Sequence, residues 1–251
     1  MWQQQSSGPL RIFAYHALRQ SHQRLFPVEW SEPHAVRVES FRHQLDLLRK
    51  NEWETVVPDQ LGTIGIGEKV ILTFDDGHKS DLLAAEMMES CGYRGVFYVP
   101  VEHLDRESFL SRNDVKRLSA QGFRIGSHGL THQPLTNHSE ARLWDELYRS
   151  RLVLEDLIGR EVRDLAVPFG RYTARILATV RAAGYERIMT SDIGLAQPSK
   201  SVVLPRLPIT ALTTDKDFER LLSIGSIGAA VRRYSAAFRR RWRRQADALE
   251  S

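Results

Sequence analysis

The sequence is almost free of cysteine, with Cys91 as the single one in 251 residues. One thiol excludes an intramolecular disulfide and any site built on a Cys-x-x-Cys pair, such as a zinc ribbon or a dithiol redox centre. Without disulfides the chain must rely on a hydrophobic core, and 42% of its residues are hydrophobic. The composition therefore predicts a folded protein of a reducing compartment.

Long apolar runs, internal repeats and low-complexity segments are lacking as well. The N-terminal MWQQQSSGPL has no basic segment followed by an apolar one, so we predict no secretory signal. The longest apolar stretch near the other end, LLSIGSIGAA, is too short to span a bilayer. These absences predict a cytoplasmic protein, or one peripheral to the inner membrane.

Acidic residues are missing from one stretch, 232–244, which contains seven arginines. The net charge is only +4, so the rest of the chain is net acidic, and we expect no nucleic-acid partner. Tyr234, Phe238 and Trp242 recur every four residues in this stretch, as on one face of a helix. We predict a domain over 1–225 and a basic amphipathic helix over 226–251, which either contacts an anionic membrane surface or packs its aromatic side chains on the domain.

Apolar strands and amphipathic helical segments alternate along the body of the chain, which is typical of a parallel sheet with crossover helices. RIFAYHAL reads as the first strand, and KVILTF as a buried one because its apolar residues run nearly unbroken. Seven or eight such units follow one another, which is close to the number in a (β/α) barrel. In such a barrel, residues at the C-terminal ends of strands form the site.

Two polar motifs fall at predicted strand ends. Asp75 and Asp76 follow the strand ILTF, and His128 and His132 follow the strand FRI with a spacing of four. One carboxylate and two imidazoles form an open three-ligand set for zinc or another first-row divalent metal, Co²⁺, Ni²⁺ and Mn²⁺ included. Taken separately, Asp-Asp-Gly is an ordinary turn and two such histidines are ordinary solvated neighbours; their occurrence at successive strand ends favours the metal site.

The motifs TFDDG (73–77), SHGLTH (127–132) and VPFG (167–170) resemble, in this order, those of the polysaccharide deacetylases, carbohydrate esterase family 4 with the NodB-homology fold. The resemblance spans about 10–210 and implies an irregular (β/α)7 barrel. It also implies that Asp75 is the general base and that Asp76, His128 and His132 bind the metal. Such a metal acidifies a water molecule and polarises an amide carbonyl, after which the departing amine needs a general acid.

The sequence departs from the commonest family pattern in two places. The late strand VVLPRLPIT has no histidine, whereas His16 in FAYHAL resembles the acid of the motif-permuted subgroup that includes the poly-N-acetylglucosamine deacetylases. Ala166 stands where many members have an arginine, which leaves Arg206 as the best-placed arginine to orient the base. The alternatives are a core or surface histidine at 16 and a barrel-rim salt bridge at 206.

Three further residues are assigned to the site. Pro168 and Phe169 are assigned to the substrate groove, and Asp192 to a carboxylate behind the ligands. The other histidines, among them His34 and His103, have no partner pattern and are interpreted as surface or structural.

The predicted function is N-deacetylation of an N-acetylated sugar or glycoconjugate. The alternatives are hydrolysis of a cyclic amide or N-formyl group, and a catalytically silent homologue that binds sugars or associates with a membrane.

Overall fold

The structure is a computed structural model that describes residues 10–20, 34–61, 68–197 and 201–223, together with the helical Ala236. The rest of the predicted C-terminal basic helix lies outside the described residues. Its contact with an anionic membrane, and the domain boundary at 225/226, therefore stay predictions. None of the helices in the described ranges combines the length and apolar character that a membrane crossing requires.

The described residues form ten strands and six helices. The strands are β1 (Arg11–Tyr15), β2 (Ala17–Arg19), β3 (Ala35–Arg37), β4 (Glu54–Thr55), β5 (Lys69–Phe74), β6 (Val96–Val99), β7 (Arg124–Ser127), β8 (Asp164–Ala166), β9 (Arg187–Ile193) and β10 (Val203–Pro208). The helices are α1 (Val38–Lys50), α2 (Asp81–Ser90), α3 (Arg112–Ala120), α4 (Glu140–Ile158), α5 (Ala174–Ala182) and α6 (Asp215–Leu222).

Seven parallel strands close a barrel in the order β1, β10, β9, β8, β7, β6, β5, because β1 also pairs with β5 over Arg11–Val70 to Tyr15–Phe74. The short β4 adds to the N-terminal end of β5. The predicted (β/α)7 barrel is thus confirmed. β1 lies between β5 and the last barrel strand, β10, so an early and a late segment of the chain are neighbours in the barrel wall.

The predicted first strand is in fact two strands. β1 stays in the barrel wall, whereas β2 leaves it to form a separate two-stranded parallel sheet with β3. His16 is the residue between them. A strand that changes partners must bend, and the single residue at the bend is therefore placed at the mouth of the barrel rather than within a ladder.

The barrel interior follows from the two-residue repeat of side chains along each strand. A buried apolar cluster receives Ile12 from β1, Ile71 from β5, Tyr98 from β6, Met189 from β9 and Leu204 from β10. β7 instead contributes a glycine at position 126, where a Cβ atom would lie 2.3 Å from the Tyr98 ring. Tyr98 therefore fills the space that a side chain on β7 would otherwise occupy.

The same repeat carries polar side chains from the core to the C-terminal ends of the strands. Along β5, Ile71 in the core is followed two residues later by Thr73, and Asp75 comes two residues beyond that. Thr73 is fully buried, and its Oγ1 donates to the Phe13 carbonyl at 2.9 Å. The alternation thus predicts that Asp75 faces the barrel axis, directly above the core.

The helices bury the apolar faces that their sequences predict. α1 buries Phe41, Leu45 and Leu48, as the three- and four-residue spacing indicates. The long α4 is capped at its start by the Ser139 side chain and ends at Gly159 in the left-handed conformation. These helices fix the outer wall against which the site loops rest.

Contacts divide the chain into two units, Met1–Leu212 and Thr213–Ser251. The first contains the barrel. In the second, α6 starts with a capping box in which the Thr214 side chain accepts from the Asp217 backbone and the Asp217 side chain accepts from the Thr214 backbone.

Candidate active site

The two adjacent aspartates at the end of β5 point to different partners. The Asp75 backbone N–H still donates to the Tyr15 carbonyl, at 2.9 Å, as if the strand continued. Asp76 then turns with φ +74°. Their carboxylates consequently avoid each other: Asp75 faces an arginine and Asp76 faces two histidines.

Asp76, His128 and His132 form a tight cluster. Asp76 Oδ1 lies 3.3 Å from His128 Nε2 and 3.1 Å from His132 Nε2, and the three ligand atoms are all within 4.8 Å of one another. Ligand atoms around a tetrahedral zinc at about 2.0 Å are about 3.3 Å apart. The distances therefore suit a single divalent ion held by all three residues.

The tautomer of His128 is set by the hydrogen bond that its Nδ1 makes. His128 Nδ1 lies 2.8 Å from the Ala166 carbonyl, which can only accept a hydrogen bond, so Nδ1 carries the hydrogen and Nε2 faces Asp76. Burial lowers the pKa of His128, but the Asp76 and Asp75 carboxylates outweigh it and raise that pKa above its usual value. A site that favours a proton at this position has the negative potential that a metal cation needs.

Arg206 holds Asp75 in a buried bidentate pair. Nη1 donates to Oδ1 at 2.7 Å and Nη2 to Oδ2 at 2.6 Å, with both side chains at most 4% exposed. Burial would raise the pKa of Asp75, but the Arg206 guanidinium and His128 bring it below its usual value. Asp75 is therefore an oriented, ionised carboxylate beside the Asp76–His128–His132 cluster.

Arg206 is itself fixed by the barrel wall. Its Nε donates to the Thr190 carbonyl on β9 at 3.1 Å, and Nη1 also donates to Thr73 Oγ1 on β5 at 3.2 Å. The predicted partner of Asp75 is thus placed by a late strand, whereas Ala166 supplies only the carbonyl that His128 contacts.

His16 lies close to the same acids. The ring is partly exposed, but Nδ1 is buried and has no hydrogen-bond partner among the described residues. Burial lowers the pKa of His16, while the carboxylates of Asp76 and Asp75 act in the opposite direction. The structure therefore places this histidine within the electrostatic reach of both aspartates.

Pro168 and Phe169 border the cluster. Pro168 is buried, whereas Phe169 is 55% exposed, and its ring centroid is 5.0 Å from that of His132. An exposed phenyl ring beside a metal-ligand candidate offers an apolar surface to a bound molecule. Asp192, in contrast, does not contact the cluster: its Oδ2 accepts from Tyr172 Oη at 2.5 Å and from Thr190 Oγ1 at 3.1 Å.

Backbone strain is concentrated at this site. The non-glycine residues with positive φ in the described ranges are Glu52, Asp76, Asp105, His132 and Phe169. Three of the five belong to the site, and each such residue costs about 1 kcal/mol or more. Strain that the fold retains at two metal-ligand candidates and at the exposed ring is typical of functional positions.

Sequence reasoning missed two histidines that adjoin the site. His34 is buried with its ring 4.4 Å from His16, and His103 is buried with its ring 5.3 Å from His132. Burial and the neighbouring His16 lower the pKa of His34 to about 3. The available signal was position, because His103 closely follows the end of β6 and His34 immediately precedes β3.

Known proteins resemble this chain in sequence and in fold. Residues 65–188 match the polysaccharide deacetylase family profile. The chain is 21% identical to Bacillus subtilis YxkH over 74% of its length and 28% identical to a chitin deacetylase of Pestalotiopsis sp. over 47%. These alignments cover 66% and 39% of the relatives, so the chain spans less than two thirds of either one.

Solved structures show the same fold. A polysaccharide deacetylase from Bacillus cereus superposes with a TM-score of 0.77 at 22% identity, over 86% of this chain and 69% of that one. The Streptococcus pyogenes deacetylase PplD gives 0.77 at 18%, over 86% and 98%. IcaB from Ammonifex degensii gives 0.70 at 22%, over 85% and 95%. These superpositions show that the chain shares its fold with the deacetylases, and the profile match identifies residues 65–188 as a polysaccharide deacetylase domain.

Proposed function

We propose that this protein is a metal-dependent carbohydrate N-deacetylase that removes acetyl groups from an N-acetylated sugar or glycoconjugate. The observation that carries the proposal is the convergence of Asp76, His128 and His132 beside an Asp75 carboxylate that Arg206 holds in place. A family domain alone would support the fold, but this arrangement supports the chemistry.

Asp76, His128 and His132 would hold the metal, with Zn²⁺ favoured by the donor set and Co²⁺, Ni²⁺ and Mn²⁺ as alternatives. The bound metal would supply a Lewis acid that polarises the amide carbonyl and acidifies a water molecule. Asp75 is the proposed acceptor of a proton from the attacking water. Its pKa, kept low by Arg206 against burial, ensures that the carboxylate is ionised when the substrate arrives.

The departing amine must gain a proton, and His16 is the proposed donor. To act as a donor, His16 must first be protonated. Burial disfavours that charged form, whereas the Asp76 and Asp75 carboxylates favour it. A ring that is partly exposed, with a buried Nδ1, leaves its other atoms to meet the substrate. Its position after β1 supports assignment to the motif-permuted subgroup.

The substrate groove is assigned to Phe169, with Pro168 beneath it. The exposed ring supports the binding of a saccharide, since sugar faces are apolar and pack on aromatic rings. A backbone N–H near Phe169 is the proposed additional donor to the carbonyl oxygen as negative charge develops on it.

The decisive test is release of acetate or formate from a panel of N-acetylated oligosaccharides and N-formyl or cyclic amides. We expect acetate from an acetylated sugar, loss of activity with a chelator, and recovery with Zn²⁺ or Co²⁺. Asp75→Asn should lower kcat by about 10²–10⁴-fold without loss of metal. The control is Asp46→Asn, the same exchange at an exposed position on α1, which should not change kcat.

A His128→Ala/His132→Ala double variant should lose the metal. Full activity of Asp75→Asn, or full metal content in the double variant, would contradict the proposal. Release of formate alone, or ring opening of a cyclic amide, would favour the other amide hydrolases, and saccharide binding without hydrolysis would favour a silent homologue.

A further inference from the structure

The loop that carries the two histidines, 128–132, has an irregular backbone. It contains two left-handed residues, Gly129 with φ +79° and His132 with φ +59°. Because His128 and His132 lie at the two ends of this loop, the separation of their imidazoles depends on the path of the three residues between them. An outside contact must therefore select this path.

Glu146 on α4 makes this contact at the loop's N–H groups, while the Val101 and Glu102 N–H groups donate to the Gly129 and Leu130 carbonyls at 3.2 and 2.9 Å. Its side chain is fully buried, and Oε2 accepts from the backbone N–H groups of Leu130 and Thr131, each at 2.9 Å. Oε1 accepts from Thr131 Oγ1 at 2.7 Å and from Arg142 Nη2 at 3.2 Å. One carboxylate thus binds both of the inner backbone donors that directly precede His132.

We propose that Glu146 is a positioning residue for the metal centre: its carboxylate fixes loop 128–132 so that His128 and His132 converge on one ion. The inference rests on the proposed function insofar as that function assigns a metal to these histidines. Among the described residues, the Glu146 carboxylate contacts Leu130 and Thr131 of the loop, Arg142 and, at 3.9 Å, His138, so we expect it to act through the loop.

Attachment of α4 to the barrel does not require this carboxylate. Leu143, Leu147 and Leu154 bury the apolar face of the helix, and the Tyr185 hydroxyl donates to the Leu147 carbonyl at 2.9 Å. Burial of a carboxylate is costly unless hydrogen bonds satisfy it, and an apolar side chain would pack a helix equally well. The hydrogen bonds from the Leu130 and Thr131 N–H groups explain why a carboxylate occupies this buried position.

Removal of the carboxylate should therefore weaken metal binding in a folded protein. For Glu146→Ala we expect metal affinity to fall about 10- to 100-fold, as for other groups that orient metal ligands. Glu146→Gln keeps one oxygen for both N–H groups and should lose less than tenfold. Thr131→Val removes one hydroxyl hydrogen bond and should lose about threefold.

The experiment is titration of the metal-free full chain with Co²⁺ and Zn²⁺, read by Co²⁺ absorption and calorimetry, with circular dichroism to confirm folding. Glu155→Ala is the matched control, since it removes a half-buried carboxylate near the C-terminal end of the same helix, where Oε1 accepts from the Val162 N–H at 3.0 Å. It should lower Tm and leave the Kd for metal unchanged. A merely structural Glu146 would behave like this control.

A weaker Kd in Glu146→Ala, with Glu146→Gln intermediate and Glu155→Ala unchanged, supports the inference. A wild-type Kd in Glu146→Ala overturns it while leaving the proposed function intact, and so does an equal loss in Glu155→Ala. If the alanine variant does not fold, unchanged Kd values in both Glu146→Gln and Thr131→Val overturn it. A wild-type protein that binds no metal overturns the proposed function and this inference together.

Discussion

The barrel has an arginine–aspartate pair at each end, and the two pairs differ in what surrounds them. At the C-terminal mouth, Arg206 binds Asp75 in a fully buried bidentate contact. At the N-terminal base, Arg187 binds the buried Asp164 and also reaches Asp59 at 2.8 Å. At the base, therefore, one arginine is shared by two acids.

Arg124 adds a second cation to the base, where it also pairs with Asp59. The charges at the base thus pair with one another and close the barrel. At the mouth, the ion pairs of the described residues join Arg206 to Asp75 and the adjacent Asp76 to His128 and His132. We therefore propose that the pair at the base is structural and the pair at the mouth catalytic, because the acid beside the mouth pair has no arginine or lysine partner among the described residues.

The largest effect on this comparison should come from the histidine at the mouth. His16→Gln should lower kcat by about 10²–10⁴-fold, because the leaving amine would lose its proton donor. The measurement is steady-state acetate release alongside metal content, which should stay at the wild-type level. Wild-type kcat in His16→Gln would return this histidine to the alternative of a core or surface residue.

Equivalent substitutions at the two arginines should separate the two ends. Arg206→Met should lower kcat by about 10²-fold, because Asp75 loses the guanidinium that orients it. Arg187→Met, the matched control at the base, should keep kcat within about twofold. Equal losses of kcat in both variants would show that the mouth pair is no more catalytic than the base pair.

The base pair should instead reveal itself in stability. Arg187→Met leaves the Asp164 carboxylate buried without its main partner, so we expect the free energy of unfolding to fall by about 3 kcal/mol. Urea unfolding at neutral pH measures this loss. An unchanged midpoint and slope would mean that the remaining charges at the base compensate for Arg187.

The smallest effect should be a pH dependence at the mouth. His34 has a pKa of about 3 in the folded protein against about 6.5 unfolded, so the unfolded chain binds its proton between these values. Stability linked to His34 is therefore present above about pH 6.5 and is lost as pH falls towards 3.

His34→Gln should reduce the slope of unfolding free energy against pH in this window by up to about 1.4 kcal/mol per pH unit. Urea unfolding at several pH values tests this, with the exposed His43→Gln on α1 as the control. An identical slope in wild type and His34→Gln would contradict the assignment of acid sensitivity to the mouth.

Much of the fold and of the Asp76–His128–His132 cluster could be predicted because the relevant signals are local. Strand and helix periodicity predicted the barrel, and two motifs at strand ends predicted Asp76, His128 and His132 as neighbours. The bend at His16 was missed, since RIFAYHAL has the apolar pattern of one continuous strand. The change of partner from barrel to β3 depends on a segment about twenty residues away.

The sequence by itself determined which residue types stand at the ends of the barrel strands, because side-chain alternation and strand direction are properties of short segments. Only the tertiary structure decided which of these residues contact one another. Arg206 reaches Asp75 over 131 positions, and Glu146 binds the loop before His132 from a separate helix. Barrel closure and helix packing bring such groups together, and no local pattern records a contact whose partners are set by the whole fold.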